Sequence, residues 1–183
     1  MQFIAEVKTK SPFGFQSTKS WDYLFELANE IGDIISIHTD PLWDGSFDLI
    51  KKARKLTEKP ILAKGIHTSN QDIIKAIDCG ADFVLCVGRN PQFLPDKVII
   101  EPNSLAELEL LKDYPRIVWN QRELNHKHEK FSNDKLAKIE EFGNARNIYK
   151  GWLCQASLIT HRFDINDRAD AVLVGTYLEN FKK

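Results

Sequence analysis

Cysteine is scarce and scattered in this 183-residue chain: Cys79, Cys86 and Cys154 are odd in number, and no two stand as a C-x-x-C pair. A disulfide framework is therefore excluded, and no zinc-ligand spacing is present. Cys86 lies inside an apolar run and reads as a small core residue. Neither sign of charge dominates. With 25 basic and 26 acidic side chains the formal net charge is −1, so there is no electrostatic basis for binding nucleic acid or a membrane surface. Long hydrophobic runs are missing too. No apolar stretch approaches the roughly 20 residues of a membrane span, and residues 1–7 are too short for the apolar core of a secretion signal. Low-complexity tracts, interdomain linkers and exact repeats are also lacking. What is there is an ordinary globular composition, 43% hydrophobic and 28% charged, expected to form one domain over residues 1–183 and to reside in the cytoplasm.

Short apolar runs alternate with helix-like segments from end to end. The runs are Phe3 to Lys8, Asp33 to Ile37, Pro60 to Lys64, Asp82 to Val87, Val98 to Glu101, Arg116 to Trp119, Ile148 to Cys154 and Ala169 to Val174, each too short for a helix and bounded by turn or cap residues. Between them, Ser20 to Ile31 carries Trp21, Leu24, Phe25, Ala28 and Ile31 at helical spacing, and Gly32 stops it. Gly45-Ser46 opens a helix with Phe47, Leu49, Ile50 and Ala53 inward and a lysine-rich outer face. Thr68-Ser69-Asn70-Gln71 reads as a capping box for a helix with Ile73, Ile74 and Ile77 inward, and Ser104 with Glu107 as another. Further helices are expected over Asn133 to Phe142 and in a short tail through Phe181.

Eight strands joined by helical crossovers predict a parallel sheet, and eight is the number that closes a (β/α)8 TIM barrel. The fold usually takes about 200 residues or more, so an abbreviated version is expected. Only Gly88 to Lys97, broken by Pro91 and Pro95, separates the fourth and fifth strands, which predicts a reduced helix there.

Charged residues close three of the runs: Lys8, Lys64 and Glu101, with Glu6 inside the first. Each stands where apolar surface ends and the ligand-binding rim of a parallel α/β barrel begins. One such lysine alone reads as a side chain snorkelling to solvent. Two cations and two carboxylates together point to acid–base chemistry on an anionic substrate. Glu6 is the hardest to explain structurally, because apolar strands rarely bury a carboxylate without a partner. Gly175-Thr176 reads as a phosphate cradle or a plain turn. His126-Lys127-His128 lacks a carboxylate or cysteine at metal-ligand spacing and reads as a solvated loop. His38, His67 and His161 read as hydrogen-bonded loop or rim residues.

Laid out in order, these residues resemble the indole-3-glycerol-phosphate synthases of tryptophan biosynthesis. The similarity rests on Ile4-Ala5-Glu6-Val7-Lys8-Thr9-Lys10-Ser11-Pro12, on Trp43-Asp44-Gly45-Ser46 after the second strand, and on Pro60-Ile61-Leu62-Ala63-Lys64. Gly80-Ala81-Asp82, Glu101, Asn120-Gln121-Arg122-Glu123-Leu124 and Val174-Gly175 follow in order, and the match is strongest over residues 3–88. The resemblance implies a carboxy-lyase that closes an indole ring on 1-(o-carboxyphenylamino)-1-deoxyribulose 5-phosphate with no metal or organic cofactor. It implies Lys64 as general acid, Glu101 as base, Lys8 against the substrate carboxylate, Glu6 holding the lysines and Asn120 orienting Glu101 or substrate. Trp43, Ile66 and Leu124 would wall the aromatic ring, Arg122 would pair with a rim carboxylate, and Ser11, Ser157, Gly175 and Thr176 would hold phosphate.

Three departures accompany it. Where that family ends its seventh strand in Glu-Ser-Gly, Gln155-Ala156-Ser157 is the expected counterpart, an amide for a carboxylate at a substrate-binding position. Gly65-Ile66 replaces an Asp-Phe after the third-strand lysine, and the family's amino-terminal extension has no counterpart in this sequence. Two other readings stay open: a barrel that binds a phosphorylated ligand without turnover, and a phosphoribosylanthranilate isomerase-like enzyme, against which Lys8 stands where a cysteine is needed. A homodimer, or association with another tryptophan-pathway enzyme, is the expected partnership.

Overall fold

The computed structural model describes residues 1–122 and 139–182. Eight parallel strands close into a barrel in sequence order: β1 (Gln2–Val7), β2 (Ile34–His38), β3 (Ile61–Lys64), β4 (Phe83–Val87), β5 (Val98–Glu101), β6 (Arg116–Asn120), β7 (Trp152–Ala156) and β8 (Ala171–Val174). β8 returns to pair with β1, Phe3 beside Val172 and Ala5 beside Val174, so no strand edge is left open. The described helices are α1 (Trp21–Ile31), α2 (Phe47–Arg54), α3 (Asn70–Asp78), α4 (Leu105–Leu110) and α5 (Glu141–Ile148).

Serines start four of these helices. Ser20, Ser46, Ser69 and Ser104 each turn a hydroxyl oxygen to a backbone N–H of the first turn, satisfying a donor the helix itself leaves free. The reciprocal box at α3 joins Ser69 to Asp72, one residue later than the sequence spacing predicts. At α4 the Glu107 carboxylate reaches back to the Asn103 N–H rather than to that of Ser104. Gly88 to Lys97 forms bends and turns without a helix, and the chain after β7 and β8 carries only short 3-10 turns, Arg162–Asp164 and Leu178–Phe181.

Several boundaries move. α5 runs to Ile148, where the sequence reading placed the start of a strand, and β7 begins only at Trp152. Arg146 stitches that corner by donating to the carbonyls of Lys150 and Gly151 and to Asp170. The expected helix over Asn133 to Phe142 lies mostly outside the described residues, as do Leu124 and the His126-Lys127-His128 run. Ile74 is 45% exposed on the outer face of α3, whereas Ile73 and Ala76 are buried. The apolar stripe of α3 is therefore narrower than its isoleucine content suggests.

Strand alternation sorts the core into two shells. Ala5, Ile35, Ile37, Ile61, Ala63 and Val84 face outward and pack beneath the helices with Phe25, Ile50 and Ile73. Ile4, Ile34, Leu62, Leu85, Ile99, Val118, Cys154 and Leu173 face inward and fill the barrel. This inner plug is hydrocarbon at the amino-terminal end. Continuing the same inner face toward the carboxy-terminal ends brings up Glu6, His38, Lys64, Glu101 and Asn120.

Candidate functional site

An open cleft caps the inner plug, with an empty volume of about 890 Å³ counted out to its mouth. Its floor is polar. Glu6, Lys8, Lys64, Glu101 and Asn120 all line it, although they come from four different strands. The common cause is parity: each lies an even number of residues from an inward-facing apolar residue of its own strand, Ile4, Leu62, Ile99 or Val118.

Glu6 is the hub. Only 3% exposed, it accepts from Lys64 Nζ on Oε2 at 3.0 Å and from His38 Nε2 on Oε1 at 2.5 Å. Burial alone would raise its pKa, but the charges of Lys64 and Lys8 and the His38 contact outweigh it and hold the carboxyl well below its ordinary value. Glu6 is therefore anionic. Gly175 closes its remaining side, since a Cβ there would sit 2.6 Å from Oε2. Burial lowers the Lys8 pKa; Glu6 opposes the shift, while the neighbouring cations Lys64 and Arg122 add to it.

Across the cleft Asn120 donates its side-chain N–H to Glu101 Oε1 at 3.0 Å, and both residues are buried. The Asn120 oxygen accepts from the Arg122 N–H, fixing the chain as it leaves β6. One wall is aromatic. Trp43 stacks on His38, ring centroids 5.8 Å apart at 7°, and meets Phe13 edge-on at 6.0 Å. Gly45 permits this: a Cβ there would lie 2.6 Å from the His38 carbonyl, so only glycine lets the Trp43 turn fold back on β2. Ile66 and Leu85 add apolar surface, and Arg122 lies at the rim. Ser157, Gly175 and Thr176 close the side between β7 and β8.

Two predicted residues stand elsewhere. Ser11 does not line the cleft; its hydroxyl accepts from the Phe13 N–H, so it shapes the loop that presents Phe13. Gln155 faces outward. Its amide donates to Gln121 Oε1 and to the Asp164 carbonyl, and its oxygen accepts from the Asn166 N–H, all within 3.0 Å. The inward residue at the end of β7 is Ala156, paired with Asn120. If the carboxylate that the resemblance implies belongs to the inward face, it would fall at Ala156, a methyl, with Ser157 and Leu158 after it. Leu158 takes a left-handed φ of 58°, the conformation glycine favours.

His38 and Phe13 line the cleft without having been singled out as site residues. The signal for His38 was available: it ends its strand as Lys64 ends the next, and the two are register partners. Phe13 is placed only by its loop. Among the described residues no group of three or more His, Cys, Asp or Glu could hold a metal ion, and no helix is long and apolar enough to cross a membrane.

A closed (β/α)8 barrel whose strand ends gather two lysines, two glutamates and an asparagine over an open cleft belongs to the class that places small-molecule sites at the carboxy-terminal rim. Within that class the chain is similar to indole-3-glycerol phosphate synthases. It is 32% identical to that of Pyrococcus abyssi over 58% of this chain and 53% of the relative. The Pyrococcus furiosus protein is 37% identical over 52% of this chain and 42% of its own length. A Vibrio parahaemolyticus tryptophan biosynthesis protein, TrpCF, is 33% identical over 45% of this chain and 18% of its own length. The chain thus spans about half the length of these relatives or less. No family model matches it. Among solved structures, 3-hexulose-6-phosphate synthase from Salmonella typhimurium superposes with a TM-score of 0.67 at 16% identity, covering 97% of this chain and 90% of that one. KGPDC from Streptococcus mutans gives 0.65 at 12% identity, covering 98% and 93%. These structures share the fold.

Proposed function

We propose that this protein is an indole-3-glycerol-phosphate synthase, a cytoplasmic carboxy-lyase acting on 1-(o-carboxyphenylamino)-1-deoxyribulose 5-phosphate. The observation that carries the proposal is the Glu6–Lys64 ion pair at 3.0 Å, its carboxylate buried, in one cleft with Lys8, Glu101 and Asn120.

The aryl carbon bearing the carboxylate attacks the C2′ carbonyl carbon, forming the new C–C bond, and the ammonium of Lys64 protonates the carbonyl oxygen as it becomes a hydroxyl. Carbon dioxide leaves from the ring carbon that made the attack, returning its bonding electrons to the ring. The hydroxyl then departs as water with a proton from the cluster, and Glu101 removes the ring proton that completes the indole. Lys8 faces the substrate carboxylate, and Asn120 holds Glu101 in position. Phe13, Trp43 and Ile66 receive the aromatic ring. The backbone around Ser157 and Gly175-Thr176 receives the phosphate, with Arg122 at the mouth.

The test is incubation with that substrate while recording indole fluorescence. Turnover is expected, with Lys64→Ala and Glu101→Gln each losing about 10²–10⁴-fold in kcat. The absence of turnover in the folded wild-type protein would refute the proposal. One observation favours a second reading, ligand binding without chemistry: Ala156 supplies no carboxylate at the end of β7. Calorimetric binding of the same compound without product formation would select it.

A further inference from the structure

His38 has no role in the chemistry above, yet it makes a short contact with the hub of the site. Its ring is 4% exposed, lies against Trp43 and places Nε2 2.5 Å from Glu6 Oε1. An ionised carboxylate only accepts, so Nε2 carries the proton. The other nitrogen, Nδ1, is buried with no hydrogen-bond partner among the described residues. A second proton there would be an unsatisfied buried donor on a charged ring, which is the costlier arrangement. The ring is therefore neutral, in the Nε2–H tautomer. Burial drives its pKa in the same direction, with Lys64 and Lys8 opposing the pull of Glu6. These three are the charged groups that face it, Glu6 and Lys8 from the end of β1 and Lys64 from β3.

Glu6 has two oxygens and two donors. With His38 on Oε1, only Oε2 remains for Lys64, and Gly175 leaves no room for the carboxylate to swing aside. We infer that His38 is a positioning residue: its neutral ring anchors one oxygen of Glu6 so that the other presents a single, fixed acceptor to the Lys64 ammonium. The kinetic part of this inference rests on the ring-closure reading above, whereas the structural part does not.

Nitrogen-15 NMR of the free wild-type protein reads the tautomer directly. The expected spectrum shows a proton on Nε2, none on Nδ1, and no titration at neutral pH. A protonated ring or an Nδ1–H tautomer at pH 7 would overturn the inference. Carbon-13 NMR of the Glu6 carboxyl then compares variants. His38→Phe removes a donor to the anion and must move the Glu6 midpoint upward, while His38→Gln keeps an N–H there and must restore it. An unmoved midpoint in folded His38→Phe refutes the anchor. In turnover, His38→Phe is expected to lose about 10–100-fold in kcat with KM nearly unchanged, a loss typical of supporting contacts, and His38→Gln to recover most of it. Unchanged kcat in His38→Phe, or a loss confined to KM, refutes the kinetic role. If the wild-type protein turns nothing over, the proposed function fails by itself, and the two NMR measurements still decide whether His38 anchors Glu6.

Discussion

Replacing Glu6 by glutamine removes one negative charge from beneath two lysines and leaves the volume unchanged. Removing one partner of a buried ion pair commonly costs about 3–5 kcal/mol, because the other charge stays buried and unpaired. Two features of this site reduce that figure. Lys64 is 17% exposed, so its ammonium can recruit cleft water. Lys8 is likewise only partly buried, and its ammonium lies over the Phe15 ring, 5.6 Å from the centroid. His38 adds no such relief, because the Nδ1–H tautomer it would need in order to accept from the new amide leaves a buried donor without a partner. A loss of about 2 kcal/mol follows. With a urea slope of about 2 kcal/mol/M, the denaturation midpoint at pH 7 should fall by about 1 M. The pH dependence gives a second readout. The folded pKa of Glu6 lies below its unfolded value, so the unfolded chain binds the proton first as pH drops. Wild-type stability must therefore decline as pH falls below the ordinary glutamate range of about 4.3, and Glu6→Gln must decline less there. A midpoint in Glu6→Gln that holds or rises at pH 7 would show that the carboxylate is a liability to folding, and would refute the claim that its charge offsets the two half-buried lysines.

Other expectations follow from the same geometry. Gly175→Ala pushes a methyl within 2.6 Å of Oε2 in a carboxylate whose two oxygens are already held by Lys64 and His38; kcat should fall at least about tenfold, as when a supporting contact is lost, and steady-state kinetics beside a native circular dichroism spectrum will show it. Gln155→Ala leaves the backbone N–H of Asn166 and the amide of Gln121 short of a partner, so stability should drop by about 1–3 kcal/mol while kcat holds; loss of kcat without loss of stability would return Gln155 to the site. All three thiols are buried, with Cys86 pushed up to about 11 by burial and Cys154 higher still. Ellman's reagent at pH 8 should find no reactive thiol in the native protein and three after unfolding.

How much of this was legible in advance differs by feature. The strand-end positions of Lys8, Lys64 and Glu101 were readable because a charge closing a buried run has one place to go. The seventh strand was placed too early: read as Ile148 to Cys154, it runs Trp152–Ala156. Trp152-Leu153-Cys154-Gln155 alternates apolar and polar weakly, so either parity fits the letters, and only pairing with Asn120 and Leu173 shows that Ala156 points inward. Ile74 was misjudged for a related reason: three isoleucines on one helix suggest a broad buried face, but the neighbouring elements cover only part of it.

By itself the sequence determined the alternation of strand and helix, the serine caps, the closure number and the family it resembles, because these are recorded within short windows of chain. Tertiary structure alone decided which face each strand turns to the axis and which charges meet. The contacts of Glu6 with His38 and Lys64 join residues 32 and 58 positions apart. Such pairings depend on barrel register, which a local pattern does not contain.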